Sequence, residues 1–422
     1  MATQADAVTD RFHRIVVQGD LEALQSALKD GVNVDAPGHV GKTALMLALE
    51  SKDLAKTKLL VQHGADPELT DDFNATALRH AVDADFADGV KFLLNLKVDR
   101  GYAPRYSLKQ IDYGSFLVDV AMPMELKGVL SEAEWLASVE DTRTSIRDMA
   151  RNPTVEPIIS AVQSVEVLKL FLEAGDDLNL APTEVKRALV GMQTGGELTV
   201  TPTDYRRHKS PCFGAHNPER MDYPFWKDMI RTGVNAHSAR SRFKDDRPST
   251  EPGAVWCYDR FGSSLTPLGD GRFVQIGGEH EDYYDPDFFI YDDVVIHDGK
   301  GNFEIYGYPQ DVFPPTDFHT ATLCREGIYI VGCLGYTEQR QPRFTPVYRL
   351  ALESWRIESV KTTGEMPSWI HKHRARYEAE RNVIHIAGGE TFVVAEDGES
   401  HLVPNERQFE LDLSRFQWRR RE

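Results

Sequence analysis

The sequence predicts a multidomain chain: an α-helical repeat stack followed by an all-β unit of small repeated sheets. Three observations predict it. In the first half residue types recur every 33 positions, Gly31 as Gly64 and Thr43 as Thr76. In the second half paired positions that open with glycine recur after 55 and then 56 residues, at 277–278, 332–333 and 388–389. Between the two, residues 181–252 are rich in turn formers and charge and keep neither period. Such periods mark stacked architectures, in which each copy buries its apolar face only against a neighbour.

The first half contains a stretch that invites a nucleotide-binding reading. Residues 36–50, APGHVGKTALMLALE, carry Ala36, then four residues, then Gly41-Lys42-Thr43, the loose form of a phosphate-binding loop. Such a loop needs a strand before it and a helix after it. Upstream, Leu21, Leu24 and Leu28 are instead spaced as on a helix that ends at Gly31. Set in register one period apart, Ala44, Leu45 and Ala48 fall on Ala77, Leu78 and Ala81. The segment resembles the ankyrin repeat, with its G-x-T-P-L-x-x-A opening and L-L-x-x-G-A-D-x-N ending; Ala44 replaces the Pro and Glu68 the final Asn. The resemblance implies an α-solenoid in which Thr43 caps a helix and Lys42 is exposed. The next copy has Asn74-Ala75-Thr76 in the same place and no phosphate loop. Residues 12–35 fit as an earlier member and 157–179 as a later one. Lys97-Val98-Asp99 departs from Gly-Ala-Asp, and an insert at about 100–153, with helical apolar spacing, interrupts the period. The repeat domain is therefore expected over 1–190.

Residues 191–252 read as a connecting segment whose Phe225, Trp226, Met229 and Ile230 form an apolar cluster for docking. From there on short β-rich runs dominate, among them RFVQIGGE, GIYIVGCLGY and NVIHIAGGE. Each unit has a Ser or His start, an apolar strand into the glycine pair, a loop, another strand and an exit aromatic (Phe303, Trp355, Trp418). With DDVVIHD and GEMPSWIHKHRA, this order resembles the kelch repeat, one four-stranded blade per unit. The resemblance implies a small β-propeller over 253–422, with three clear blades and a partial one drawn from 235–243 and 254–260.

Composition narrows the function. A formal charge of −18 opposes binding to nucleic acid phosphates or anionic membranes, and 419–421 is the one basic run. No apolar stretch has membrane-spanning length, so a cytoplasmic location is expected. Cys212, Cys257, Cys324 and Cys333 contain no CxxC pair and read as reduced thiols. The densest chemistry is GGEHEDYYDPD, where Glu279, His280, Glu281, Asp282, Asp285 and Asp287 could hold a cation or engage a basic partner, with Tyr283 and Tyr284 beside them. A solvated acidic loop whose tyrosines pack on the rim is the other reading. The spacing fits neither a zincin helix nor an EF-hand. His371 and His373 could share a strand face toward a metal, but His373 also falls on the kelch start position that His319 occupies. The ExxxDxxxH iron motif of some kelch enzymes is absent, as are GxSxG and CxxC.

The expectation is a non-enzymatic recognition protein, needing no cofactor or metal, that binds a basic protein partner through residues 279–287; an immunity-type inhibitor of a basic toxin is one form of it. The alternative is a kelch-propeller enzyme or metal-dependent sensor targeted by its ankyrin half. At residue 42 the repeat register makes a direct prediction. ATP is expected to shift the melting temperature of neither the wild type nor Lys42→Ala, in a thermal-shift assay. An ATP-dependent stabilisation that Lys42→Ala abolishes would restore the phosphate loop.

Overall fold

The chain divides into two units, 1–185 and 186–422. The structure is a computed structural model and describes residues 4–102, 155–193, 195–245, 253–281, 288–395 and 398–421. The predicted insert at about 100–153 lies, from residue 103 on, outside the described residues.

In the N-terminal unit helices follow one another in pairs: α1 (Gln4–Gln18) with α2 (Leu21–Lys29), α3 (Ala44–Glu50) with α4 (Leu54–Gln62), and α5 (Ala77–Asp83) with α6 (Ala87–Asn95). Strands β1 (Gly101–Tyr102) and β2 (Glu156–Pro157) pair, and a turn of 3-10 helix and α7 (Val165–Glu173) follow. First helices α1, α3 and α5 pack in one row and α2, α4, α6 and α7 in a second. Small residues allow the close approach: Ala44, Ala48, Ala77 and Ala81 are fully buried with Leu45, Leu49 and Leu78. Thr43 and Thr76 cap α3 and α5, accepting from the Met46 and Arg79 amides. Adjacent turns are tied by carboxylates, since Asp35 accepts from the Asp66 amide at 3.0 Å and Glu68 from the Asp99 amide at 2.9 Å. Glu68 thus does the work expected of the missing Asn. Gly31 and Gly64 take positive φ after their helices, and Lys97, one period on, is held at φ 59°. There the stack imposes a left-handed backbone on a residue that resists it by about 1 kcal/mol.

The C-terminal unit is β-rich, with a helical lead-in. Helix α8 (Thr183–Leu189) spans the division and is followed by α9 (Pro202–His208), β3 (Glu219–Arg220), α10 (Pro224–Thr232) and α11 (Ala236–Phe243). Three antiparallel meanders come next. The first sheet is β4 (Ser264–Pro267), β5 (Phe273–Ile276), β8 (Val294–His297) and β9 (Phe303–Gly307), with β3 on its edge; β6 (Glu279–His280) and β7 (Phe289–Ile290) pair in the loop between β5 and β8. The second runs through β10 (Thr320–Cys324), β11 (Gly327–Val331), β12 (Val347–Leu350) and β13 (Ile357–Ser359). After β14 (Thr363–Gly364) and β15 (Trp369–His371), the third contains β16 (Arg374–Glu378), β17 (Val383–Ala387), β20 (Gln408–Asp412) and β21 (Gln417–Arg421). Strands β18 (Glu390–Val394) and β19 (Ser400–Pro404) extend β15 into a side sheet.

Two apolar cores join the meanders. Val274, Ile276, Val294 and Ile296 meet Ile328, Ile330, Leu350 and Ile357 between the first and second; Tyr329, Val331 and Val347 meet Ile384, Ile386, Phe409, Leu411 and Trp418 between the second and third. First strands β4, β10 and β16 lie side by side. The glycine pairs mark where one sheet meets the next. A Cβ on Gly277 would lie 2.2 Å from the Thr316 carbonyl oxygen and one on Gly332 2.2 Å from that of Ile370, both just ahead of the following sheet. At Gly388 a Cβ would meet nothing within 4 Å, so the third sheet lacks such a neighbour among the described residues. Its other face is accordingly polar: Arg376, His385, Glu410 and Arg419 stand in one row across it.

The residues predicted as a partial blade are not strands. Residues 236–243 form α11, started by Asn235, which accepts from the Ser238 amide, and 254–260 form no strand. These residues and the connecting segment cover the first sheet instead. Phe225, Trp226, Met229 and Ile230 are all fully buried on α10. Trp226 stacks on Trp256 with ring centroids 4.7 Å apart, and Trp256 donates to Asp293 at 2.8 Å. Asn217 bonds both backbone groups of Ile357, reaching the outer strand of the second sheet. Of the exit aromatics, Trp418 is buried in an inter-sheet core, Trp355 is half-buried, and Phe303 instead faces Arg231 and His297. Truncating Trp226 removes the stack and its bond to the His208 carbonyl. Trp226→Ala is expected to destabilise the C-terminal unit by about 3–5 kcal/mol in denaturant titration. A silent variant would show that the helical lead-in is a mere appendage.

Candidate functional site

Two surfaces are candidates, one in each unit. In the N-terminal unit a groove of about 660 Å³ lies between α1 and the turn before α3, lined by Asp10, His13, Arg14, Val17, His39 and Lys42 among others. Lys42 is held by Glu50 at 2.6 Å, which leaves it partly exposed on the groove wall. His13 packs against Gly38, and burial lowers its pKa despite the Ala36 carbonyl and Asp10. The groove therefore offers mixed charge over an apolar floor, the composition of a surface for a polypeptide.

The second surface is the loop side of the C-terminal unit, where the acidic stretch was read from sequence. Asp282, Tyr283, Tyr284, Asp285 and Asp287 lie outside the described residues. Glu279, His280 and Glu281 separate by environment. His280 is buried and its Nδ1 faces the Asp259 carbonyl at 3.1 Å, so it is turned inward. Glu281 is exposed. Glu279 is half-buried and its carboxyl lies against that of Asp317, a residue 38 positions on and fully buried. Asp317 Oδ1 accepts from the Gly335 amide at 2.7 Å, while its Oδ2 has no donor. Burial, the Asp317 carboxyl and Glu281 push the Glu279 pKa up to about 7, against the opposing charge of Lys372. Burial also raises the Asp317 pKa, opposed by the Gly335 amide.

Sequence reasoning missed Asp317, because nothing local marks it as chemical. The available signal was its place two residues before His319, in register with His371 before His373. Phe261, 68% exposed, pairs its backbone with that of Glu279; Phe288, 42% exposed, packs edge-on to Tyr336, the residue after Gly335.

Of the two histidines that suggested a metal, His371 is fully buried with no hydrogen bond at either ring nitrogen, and His373 serves the scaffold as His319 does. His319 Nε2 bonds Ser264 Oγ at 2.8 Å and His373 Nε2 bonds Thr320 Oγ1 at 2.9 Å, linking successive first strands. Burial drives both pKa values to about 3, so both rings are neutral. Among the described residues no group of three or more His, Cys, Asp or Glu is placed to hold a metal ion, and no helix is long and apolar enough to cross a membrane. All four cysteines are free, with Cys257, Cys324 and Cys333 buried.

With this geometry in hand, comparison with known proteins decides the first unit. Residues 12–101 match the family model of ankyrin repeats, in three copies. They are ankyrin repeats. The kelch resemblance of the C-terminal unit has no such match and rests on its sheets and glycines. An L-asparaginase of Dirofilaria immitis is 37% identical over 79 residues, 19% of this chain and 13% of that protein. The chain thus spans a small part of that relative, and no activity is carried across.

Glu279 makes stability depend on pH. Its carboxyl ordinarily titrates at 4.5 and in the folded chain at about 7, so the folded state keeps a proton that the unfolded state has released in this window. The stabilisation is complete below the lower value and is lost as pH rises through the higher one. Melting temperature is expected to fall from pH 4.5 to about 7 more steeply in the wild type than in Glu279→Gln. Parallel profiles for the two proteins would remove Glu279 from the titration.

Proposed function

We propose that this chain is a non-enzymatic recognition protein that binds a protein partner through its ankyrin groove and through the loop side of its β-unit. The observation that carries this is the match of residues 12–101 to ankyrin repeats together with the open groove beside α1. Repeat stacks present extended surfaces whose side chains vary while the stack holds the backbone. The β-unit is read as a small kelch-type propeller. Three meanders in series, Gly277 and Gly332 at the two approaches of one sheet to the next, and histidine bonds between first strands support that reading. Loops on one side of such an array are free to carry recognition residues, and here that side bears Glu279, Glu281 and three exposed phenylalanines, Phe261, Phe288 and Phe344.

A partner of basic character follows from charge. The chain carries −18, and the loop from 279 to 287 contains carboxylates and no Lys or Arg. Such a surface speeds encounter with a cationic protein and weakens as salt rises. An inhibitor of a basic toxin is one form this function takes. The test is affinity capture from source cells with the full chain and two variants. Val17→Glu, in the groove, is expected to lose the captured protein while its melting temperature stays within a few degrees of wild type. Neutralising Glu281, Asp282 and Asp285 together is expected to flatten the salt dependence of capture. Capture that ignores the groove variant refutes the ankyrin surface as the binding site; an unchanged salt dependence reduces the acidic loop to a solvated rim.

A further inference from the structure

We propose that the outward face of the third sheet, on β16, β17, β20 and β21, docks an acidic, extended segment of a protein partner on its arginines. This surface is distinct from the groove and from the acidic loop, and the chemistry it selects is the reverse of the loop's.

Strand register decides which side chains share that face. One side of the sheet is apolar and joins the inter-sheet core through Tyr377, Ile384, Leu411 and Trp418. On the other side Arg374 aligns across the strands with Ala387, Gln408 and Arg421, and Arg376 aligns with His385, Glu410 and Arg419. Arg374 and Arg376 on β16 and Arg421 and Arg419 on β21 stand at the corners of a rectangle, about 7 Å along the strands and about 14 Å across them by the usual strand spacings. All four are exposed.

The carboxylates of this face are already engaged. Glu410 takes both terminal nitrogens of Arg381, at 3.3 and 3.0 Å, and Arg421 Nε at 2.9 Å. Glu378 has His385 Nε2 at 2.7 Å and Arg381 at 3.3 Å, and Asp412 accepts from Arg415 at 3.0 Å. Among the described residues Arg374, Arg376 and Arg419 have no acid within ion-pair distance. In a chain with 48 basic against 66 acidic residues, unpaired cations gathered on one face are a local reversal of sign. From 374 to 421 all eight basic residues are Arg and none is Lys. Either cation keeps a surface in water, but arginine grips a carboxylate through two parallel bonds where lysine offers a point charge. Arg381 on Glu410 shows that grip on this same face.

The occupant follows from what the face carries and what it lacks. Its outward strand positions include no Phe, Tyr or Trp, so the bases of a nucleic acid have nothing to stack on. They include no exposed large apolar side chain to enter a bilayer either. In an extended polypeptide alternate residues lie on one side about 7 Å apart, so Asp or Glu at every second position meets Arg374 and Arg376, or Arg421 and Arg419, in turn. Salt near the physiological level screens charge beyond about 8 Å, which lets this face attract an anion although the whole chain carries −18.

The probe is the fluorescein-labelled peptide Glu-Ser-Glu-Ser-Glu-Ser-Glu, titrated with the full chain at about 0.15 M salt and followed by anisotropy. Gln-Ser-Gln-Ser-Gln-Ser-Gln is the neutral control and a labelled dT oligonucleotide the polyanion control. The Glu peptide is expected to bind about tenfold or more tightly than either control, and to lose about tenfold in affinity when Arg374→Ser, Arg376→Ser and Arg419→Ser are combined. The comparison of peptides uses the wild type alone, so it stands even if the triple variant fails to fold. Equal or undetectable binding of the two peptides, or undiminished binding by a folded triple variant, overturns the proposal. Tighter binding of the oligonucleotide than of the Glu peptide overturns it too and assigns the face to nucleic acid. Capture through the groove is read on a different variant, Val17→Glu, and neither result decides the other.

Discussion

Extended apolar surface in both units of this chain is buried against the next copy of a repeat, and the architecture follows from that constraint. In the first unit alanines at a 33-residue spacing let neighbouring helices approach, and threonines at the same spacing start them. In the second unit the constraint is sharper, because a glycine Cα in each of the first two meanders sits against a carbonyl oxygen of the following segment, where any side chain would collide. The same constraint makes the ends of the sheet series a separate chemical problem. A face that would receive another copy must be covered or made polar. The first sheet is covered by Trp226, carried on α10, and by Trp256, on which it stacks from a segment without regular secondary structure. The third is finished with a row of charge, in which Glu410 is shared between Arg381 and Arg421 and lies near His385.

Buried carboxylates divide by how that packing treats them. Asp293 is fully supplied: the Arg260 guanidinium that it binds also lies 3.4 Å from the centre of the Tyr291 ring, so one ion pair fixes the lead-in, the first sheet and its loop. Its neighbour Asp292 has an oxygen without a donor, and burial beside the Asp293 charge raises its pKa well above the ordinary range. Asp317 is as buried as either, with the Gly335 amide on its Oδ1, and its raised pKa comes chiefly from burial.

Much of this was legible from sequence where the signal is periodic. The 33-residue register placed Thr43 and Thr76 as caps, set Lys42 aside from phosphate chemistry, and located the glycine turns; it also flagged Lys97 as a departure, which the structure meets with a positive φ. Glycine spacing likewise located the three meanders. Single, non-repeated features were not legible. Residues 235–243 carry too few apolar positions to show a period, and their helix is decided by the Asn235 cap and by burial of Ala236 and Ala239. The carboxyl pair is beyond local pattern altogether, because Glu279 on β6 and Asp317 in the segment before β10 are far apart in the sequence and only packing makes them neighbours.

The repeat also explains why recognition chemistry can sit so close to the core. Bonds from His319 to Ser264 and from His373 to Thr320 fix the first strands to one another, and the glycines fix how the sheets approach. With the backbone determined at those points, the position two residues before each histidine is free to vary in chemistry without altering the fold. In one copy it is Asp317; in the next it is His371, fully buried, 3.6 Å from Glu390 and held neutral with a pKa of about 4, chiefly by burial. The same backbone site thus carries an acid in one copy and an uncharged imidazole in the other.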